Sequence, residues 1–260
     1  MSDVSTLEHV LRRDRVVVTG GLAGVVLLSW LHLVRGAGMD MHAMGDMVMP
    51  MAMSAWTPGY FMLVASMWAV MMAAMMLPSA APMILLYATV ARRRRARGEV
   101  VAATGVFALA YLAVWAAFSV GAAALQWGLD AAALLSPMMA TTSVAVAGLA
   151  LVAAGAYQFT PLKQACLRQC RSPLDFVIGH WREGARGAFV MGGRHGLFCL
   201  GCCWMLMLVL FVGGVMNLLW VGGIALLVLA EKTAPGNRWL SALVGAGLCV
   251  WGGATLLSLA

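Results

Sequence analysis

The sequence predicts an all-α, polytopic transmembrane helical bundle of about seven spans, or six if residues 197–230 form one broken helix, with a cytoplasmic N-terminus. Three observations lead there. First, 63% of the 260 residues are hydrophobic and only 10% are charged, where a soluble domain carries about 25% charged residues. Second, apolar runs of about 20 residues, enough to cross a bilayer, recur along the chain. Third, the basic residues sit in short clusters between those runs, as the positive-inside rule requires. That clustering also explains the net charge of +7 without nucleic acid, because no extended basic face is present to track a phosphate backbone.

The first span, 16–34, follows Arg12, Arg13 and Arg15, which favour a cytoplasmic start. Its apolar run is too long for a signal-peptide core, and no small-x-small cleavage site follows before Arg35, so it reads as a retained helix. The second span, 58–90, is long and carries Pro78 and Pro82. Each proline removes a backbone donor, and Ser79 is at hand to re-satisfy the helix. The run "RRRRARGE" after it holds five arginines, the strongest cytoplasmic signal in the chain. Spans 101–125 and 138–157 are joined by a segment without Lys or Arg, expected outside. Residues 158–196 form the longest non-membrane stretch, and Lys163, Arg168, Arg171, Arg182, Arg186 and Arg194 place it inside. Spans 197–215, 218–230 and 240–257 complete the count. No linker or repeat divides residues 1–260, which read as one integral membrane domain of a bacterial inner-membrane protein.

Two sulfur-rich regions interrupt this pattern. Residues 35–57 form an extracytoplasmic loop containing "GMDMHAMGDMVMPMAM", with Met39, Met41, His42, Met44, Met47, Met49, Met51 and Met53. Thioethers are neutral soft donors that select Cu(I), and they need no deprotonation. From Met47 to Met53 they fall at every second residue, so an extended chain turns them to one side. The competing reading is that flexible methionines fill gaps where the loop dips into lipid. The methionines continue into the second span. Met67, Met71 and Met75 fall four apart on one helical row, and Met72 and Met76 lie on the next, which Trp68 continues one turn earlier. Broken helices lining cavities are where transporters build sites, although a methionine stripe also serves as plain packing.

The second region is cysteine-rich. Cys166 and Cys170 are four apart, and Cys199, Cys202 and Cys203 form a C-x-x-C-C. Both groups flank the same cytoplasmic stretch. In a reducing compartment such clusters bind metal or do redox chemistry more often than they form disulfides. His195, four residues before Cys199, is a possible mixed ligand. Cys249 stands alone in the last span and reads as packing.

Five segments in order, "MMAAMMLPSAAPMILLY", "YQFTPLKQACLRQCRSPLDF", "GLFCLGCCWMLM", "GVMNLLW" and "EKTAPGN", resemble the bacterial family of predicted metal-binding integral membrane proteins, over roughly residues 62–238. The resemblance implies a metal site. Its candidate ligands here are Cys166, Cys170, Cys199, Cys202 and Cys203, with Tyr157, Gln158, Asn217 and Glu231 as polar companions. The methionine loop lies ahead of the matched segments.

The expected function is therefore binding and handling of a soft transition metal, with copper first and zinc or another transition metal second. Transport, delivery and metal-site assembly all fit, with a metal-donor or metal-acceptor protein as partner. A membrane metalloenzyme or thiol oxidoreductase is the alternative, and a structural subunit of a membrane complex is a third. A self-powered pump is disfavoured, since neither a Walker motif nor D-K-T-G occurs, and H-E-x-x-H is also lacking.

Overall fold

The protein is described from a computed structural model. The described residues are 2–36, 41–44, 47–50, 56–234 and 238–259, with backbone alone for 2–15, 41–44, 47–50 and 238. In chain order the elements are α1 (Ser2–Val34), β1 (Met41–Met44), β2 (Met47–Pro50), α2 (Pro58–Arg95), α3 (Thr104–Ala131), α4 (Val144–Gln158), α5 (Pro161–Arg171), α6 (Pro173–His180), α7 (Gly184–Leu208), α8 (Leu210–Gly213), α9 (Leu218–Thr233) and α10 (Arg238–Leu257). Apart from one hairpin, the regular elements are all helical.

Among the described residues, five helical runs are long and apolar enough to cross a membrane: Val16–Val34, Pro58–Arg95, Thr104–Ala131, Gly184–Gly213 and Trp239–Leu257. A sixth arises if α4 and α5, bent by 64° at their junction, count as one broken span. The expected sixth span, 218–230, is a helix, but α9 has only 16 residues and reaches about 24 Å. The stretch expected to lie wholly outside the apolar runs, 158–196, folds into α5, α6 and the first half of α7, which starts well before residue 197.

Burial sorts these helices into centre and rim. Half of the apolar window is buried in both α2 and the Gly184–Gly213 run, against 11% for α1 and 17% for α10. The lipid-facing sides of α1 and α10 stay apolar because the solvent there is hydrocarbon. Helix α2 packs on α1, α3 and α9, α3 on α7, α5 on α7, and α4 on α10.

Local chemistry sets the ends. Thr57 caps α2 by accepting from the Tyr60 amide at 3.2 Å, with Pro58 in the first turn, where its missing donor costs nothing. The helix continues through Pro78 and Pro82. Its carbonyl at Met76 accepts from the Ser79 hydroxyl at 2.9 Å and the Tyr111 hydroxyl at 3.2 Å. The expected backbone role of Ser79 is thus realised without a break. Thr160 caps α5, and Pro161 opens it. Asn217 caps α9 through the Trp220 amide at 3.2 Å.

The hairpin pairs β1 with β2 in antiparallel register, with His42 opposite Met49 and Met44 opposite Met47. Candidate ligands Met41, His42, Met44, Met47 and Met49 lie on these strands. Met39, Met51 and Met53 lie outside the described residues.

Candidate metal centre

Three helices with unlike sequence features meet about halfway along α7. Cys199 lies fifteen residues into the Gly184–Gly213 run, about 22 Å from its start. Residues 199, 202 and 203 share one side of a helix by spacing, and all three are buried to 1% exposure. Cys202 and Cys203 each turn back on the Cys199 carbonyl, at 3.1 and 3.0 Å.

Cys170 approaches from α5, which packs on α7, and its thiol lies near that of Cys202. Cys166, one turn earlier, packs on Gly201; a β-carbon at Gly201 would stand 2.7 Å from the Cys166 sulfur. The five cysteines singled out by spacing are therefore brought together, and all are free thiols. Tyr157 fixes the same turn by donating to the Gly201 carbonyl at 2.5 Å.

From α2 comes Met76. Its sulfur lies 3.9 Å from that of Cys203. Two sulfurs bound to one ion at about 2.3 Å each, with an angle near 110–120°, stand about 3.8–4.0 Å apart. The Met76–Cys203 pair, in which the thiol donates weakly to the thioether, has a separation that a common soft ion could also bridge. Among the described residues no three His, Cys, Asp or Glu side chains are grouped to hold a metal. A low-coordinate site that recruits a thioether suits Cu(I).

Charge surrounds the thiols. Lys232, near the end of α9, donates to the Cys199 sulfur at 2.9 Å and to the Ser79 hydroxyl at 3.0 Å. Tyr111 lies 3.0 Å from the same sulfur. Next to Lys232, Glu231 forms a buried ion pair with Lys163 at 2.8 Å. Gln158 also accepts from Lys163 through its carbonyl oxygen. Arg171 donates to the Glu231 backbone carbonyl at 2.7 Å, satisfying an orphan carbonyl at the end of α9.

Of the polar companions, Tyr157 reaches the cysteine-bearing turn at Gly201, while Gln158 and Glu231 hold Lys163. Asn217 does neither: it caps the opposite end of α9 and donates to the Gly213 carbonyl at 3.2 Å. His195 is buried and its ring stacks on Tyr111 at 5.6 Å. Four residues that line the centre were not singled out by the sequence reading as ligands or companions: Met76, Ser79, Tyr111 and Lys163. Met76 carried a signal, as a methionine beside a proline pair. Lys163 carried none, since in the sequence it is one of many charges in a basic stretch.

No curated protein and no solved structure matches the chain. A family model described as PpoB2, copper chaperone, matches residues 65–255, a region that contains every segment carrying the metal-binding resemblance and every residue of the centre. The chain therefore belongs to the PpoB2 copper chaperone family and is a multi-pass helical membrane protein that handles copper.

Proposed function

We propose that Cu(I) is held as cargo between α2 and α7, by Cys203 and Met76 with Cys199, Cys202 and Cys170 as neighbouring thiol donors. The 3.9 Å sulfur–sulfur separation of Cys203 and Met76 carries this reading. Soft sulfur donors bind Cu(I) tightly, and a thioether among them weakens the hold relative to an all-thiolate site, which suits a protein that must give its metal away. A buried lysine on Cys199 compensates negative charge on the thiols in a medium where an isolated charge is costly.

The copper would be passed to or from a partner protein. The N-terminus and the Arg92–Arg95 end of α2 face the cytoplasm of a bacterial inner membrane, and the hairpin faces outward. A reporter fused after Gly98 reads cytoplasmic and one fused near Asp46 reads periplasmic; the same side for both would overturn this orientation.

The test of the centre uses full-length protein purified in detergent without a His tag and loaded with Cu(I) anaerobically. It is then washed with a Cu(I) chelator, and the retained copper is measured. Wild type retains copper, and Cys203→Ser and Met76→Leu lose it. Retention by both variants would overturn the assignment.

A further inference from the structure

We infer that copper reaches the Cys203–Met76 pair along a ladder of sulfur between α2 and α7, from the end of α2 that lies away from its arginines. This rests on the centre proposed above. Two contacts fix the register of the helices. The rings of Trp68 and Phe211 lie 5.3 Å apart, and the sulfurs of Met76 and Cys203 lie 3.9 Å apart. From the first contact to the second, α2 advances eight residues while α7 and α8 run back eight. The helices are antiparallel and in step. Residues halfway between, four from each contact on both helices, are Met72 and Met207, and this register sets them at one level as the intermediate rung. Both are 0% exposed.

Four residues of helix rise about 6 Å. Successive rungs along the shared face are thus an aromatic pair, two thioethers, and a thioether with a thiol. The next step down is Ser79 and Cys199, bridged by Lys232. Above the aromatic rung sits one more sulfur. Trp68 donates to Gln126 at 2.8 Å, and the Gln126 amide donates to the Met139 sulfur at 3.1 Å. Met139 has φ of 55°, a left-handed conformation that non-glycine residues seldom adopt, and is 1% exposed. The loop before α4 thus holds a thioether inward, at the head of the row, with its sulfur oriented by an amide.

The chemistry suits Cu(I). A monovalent ion cannot cross this apolar packing bare, because losing its hydration without replacement is prohibitive. Neutral thioethers replace water as ligands without adding charge. Copper stays Cu(I) throughout: only copper–sulfur bonds form and break, and no electron moves. Methionines 67, 71 and 75 lie on the neighbouring row of α2 and are not part of the path.

The test compares equilibrium with rate on the full chain in detergent. The Met72→Leu/Met207→Leu double variant removes both sulfurs of the middle rung while keeping volume, the kind of swap that packed cores tolerate best. It is expected to retain as much Cu(I) after a chelator wash as wild type, because Cys203 and Met76 remain. Its loading from a soluble Cu(I)–chelator complex, followed by stopped flow, is expected to slow by about tenfold or more. Met67→Leu/Met71→Leu is expected to load as wild type. The single variants Met72→Leu and Met207→Leu carry the same test with a smaller slowing if the double variant folds poorly. Wild-type loading by the double or both single variants would overturn the ladder and leave the centre standing. Equal slowing by Met67→Leu/Met71→Leu would also overturn it. Loss of retained copper in Cys203→Ser and Met76→Leu bears on the centre alone.

Discussion

Two antiparallel helix pairs in this protein each carry cysteine, and they use it in opposite ways. Between α4 and α10 the contact is made of absence. A β-carbon at Gly155 would stand 2.6 Å from the Cys249 sulfur, and one at Gly252 would stand 2.8 Å from the Gly148 carbonyl. Glycines seven apart on each helix let the backbones close, as small residues do throughout membrane bundles. Cys249 fills the remaining space, with only a long contact of 3.8 Å to the Val152 carbonyl. Between α2 and α7 the contact is made of large side chains, and the sulfurs of Met76, Cys199 and Cys203 each meet another polar or soft atom. What faces a cysteine, and not how many cysteines a chain has, separates a spacer from a ligand.

That contrast breaks first at copper. Cys203→Ser is expected to abolish copper retention, and Cys249→Ser to leave it unchanged, by elemental analysis of chelator-washed protein. Equal copper in the two variants would erase the distinction between the pairs.

The next effect falls where the two pairs join. Helix α5, which follows α4 after a sharp bend, is tied to the end of α9 by Lys163 and Glu231. Glu231→Gln or Lys163→Met alone leaves a buried charge without its partner and is expected to cost about 3–5 kcal/mol. The double variant is expected to recover much of that loss, as read from denaturation midpoints in detergent. A double variant as unstable as the worse single one would show that Gln158 and Arg171, and not the pair itself, hold this junction.

A smaller loss is expected from Gly155→Val. It pushes α4 from α10 and is expected to cost about 1–3 kcal/mol in stability while copper retention per folded chain is unchanged. Copper loss in that variant would mean that the α4–α10 pair shapes the centre directly. The least effect on stability is expected in the hairpin. Replacing Met41, Met44, Met47 and Met49 with leucine is expected to leave folding and insertion intact and to lower the number of Cu(I) ions bound per chain. Unchanged copper content would assign those methionines to packing.

Much of this was legible in advance for identifiable reasons. Hydropathy locates a span by composition, so the apolar run 16–34 and the bounds of α10 agree closely with expectation, whereas the polar start of α1 at Ser2 and the far ends of α2 and α3, five and six residues beyond the expected 90 and 125, carry no such signal. The five clustered cysteines were found because helical spacing and a shared flank are local facts. The start of α7 was missed because Arg186 and Arg194 look like the end of a span. In the structure both are exposed, and Arg194 lies over the Phe198 ring at 5.8 Å, so the helix runs past them. The buried ion pair was missed because its partners are separated by 68 residues, and spacing along the chain carries no sign of such a meeting. Asn217 was over-read: a polar residue inside a conspicuous motif proved to be a helix cap, a role its position before an apolar run would have suggested.

Glu231 and Lys232 are consecutive, yet they reach different neighbours: Glu231 holds α5, and Lys232 holds a thiol of α7 and a hydroxyl of α2. One helical turn thus works as a double latch. Sliding or rotating α9 pulls a cation off sulfur and an anion off Lys163 in a single motion. The thiol pocket and the bent α4–α5 arm are mechanically geared, and neither can be loosened through α9 without the other.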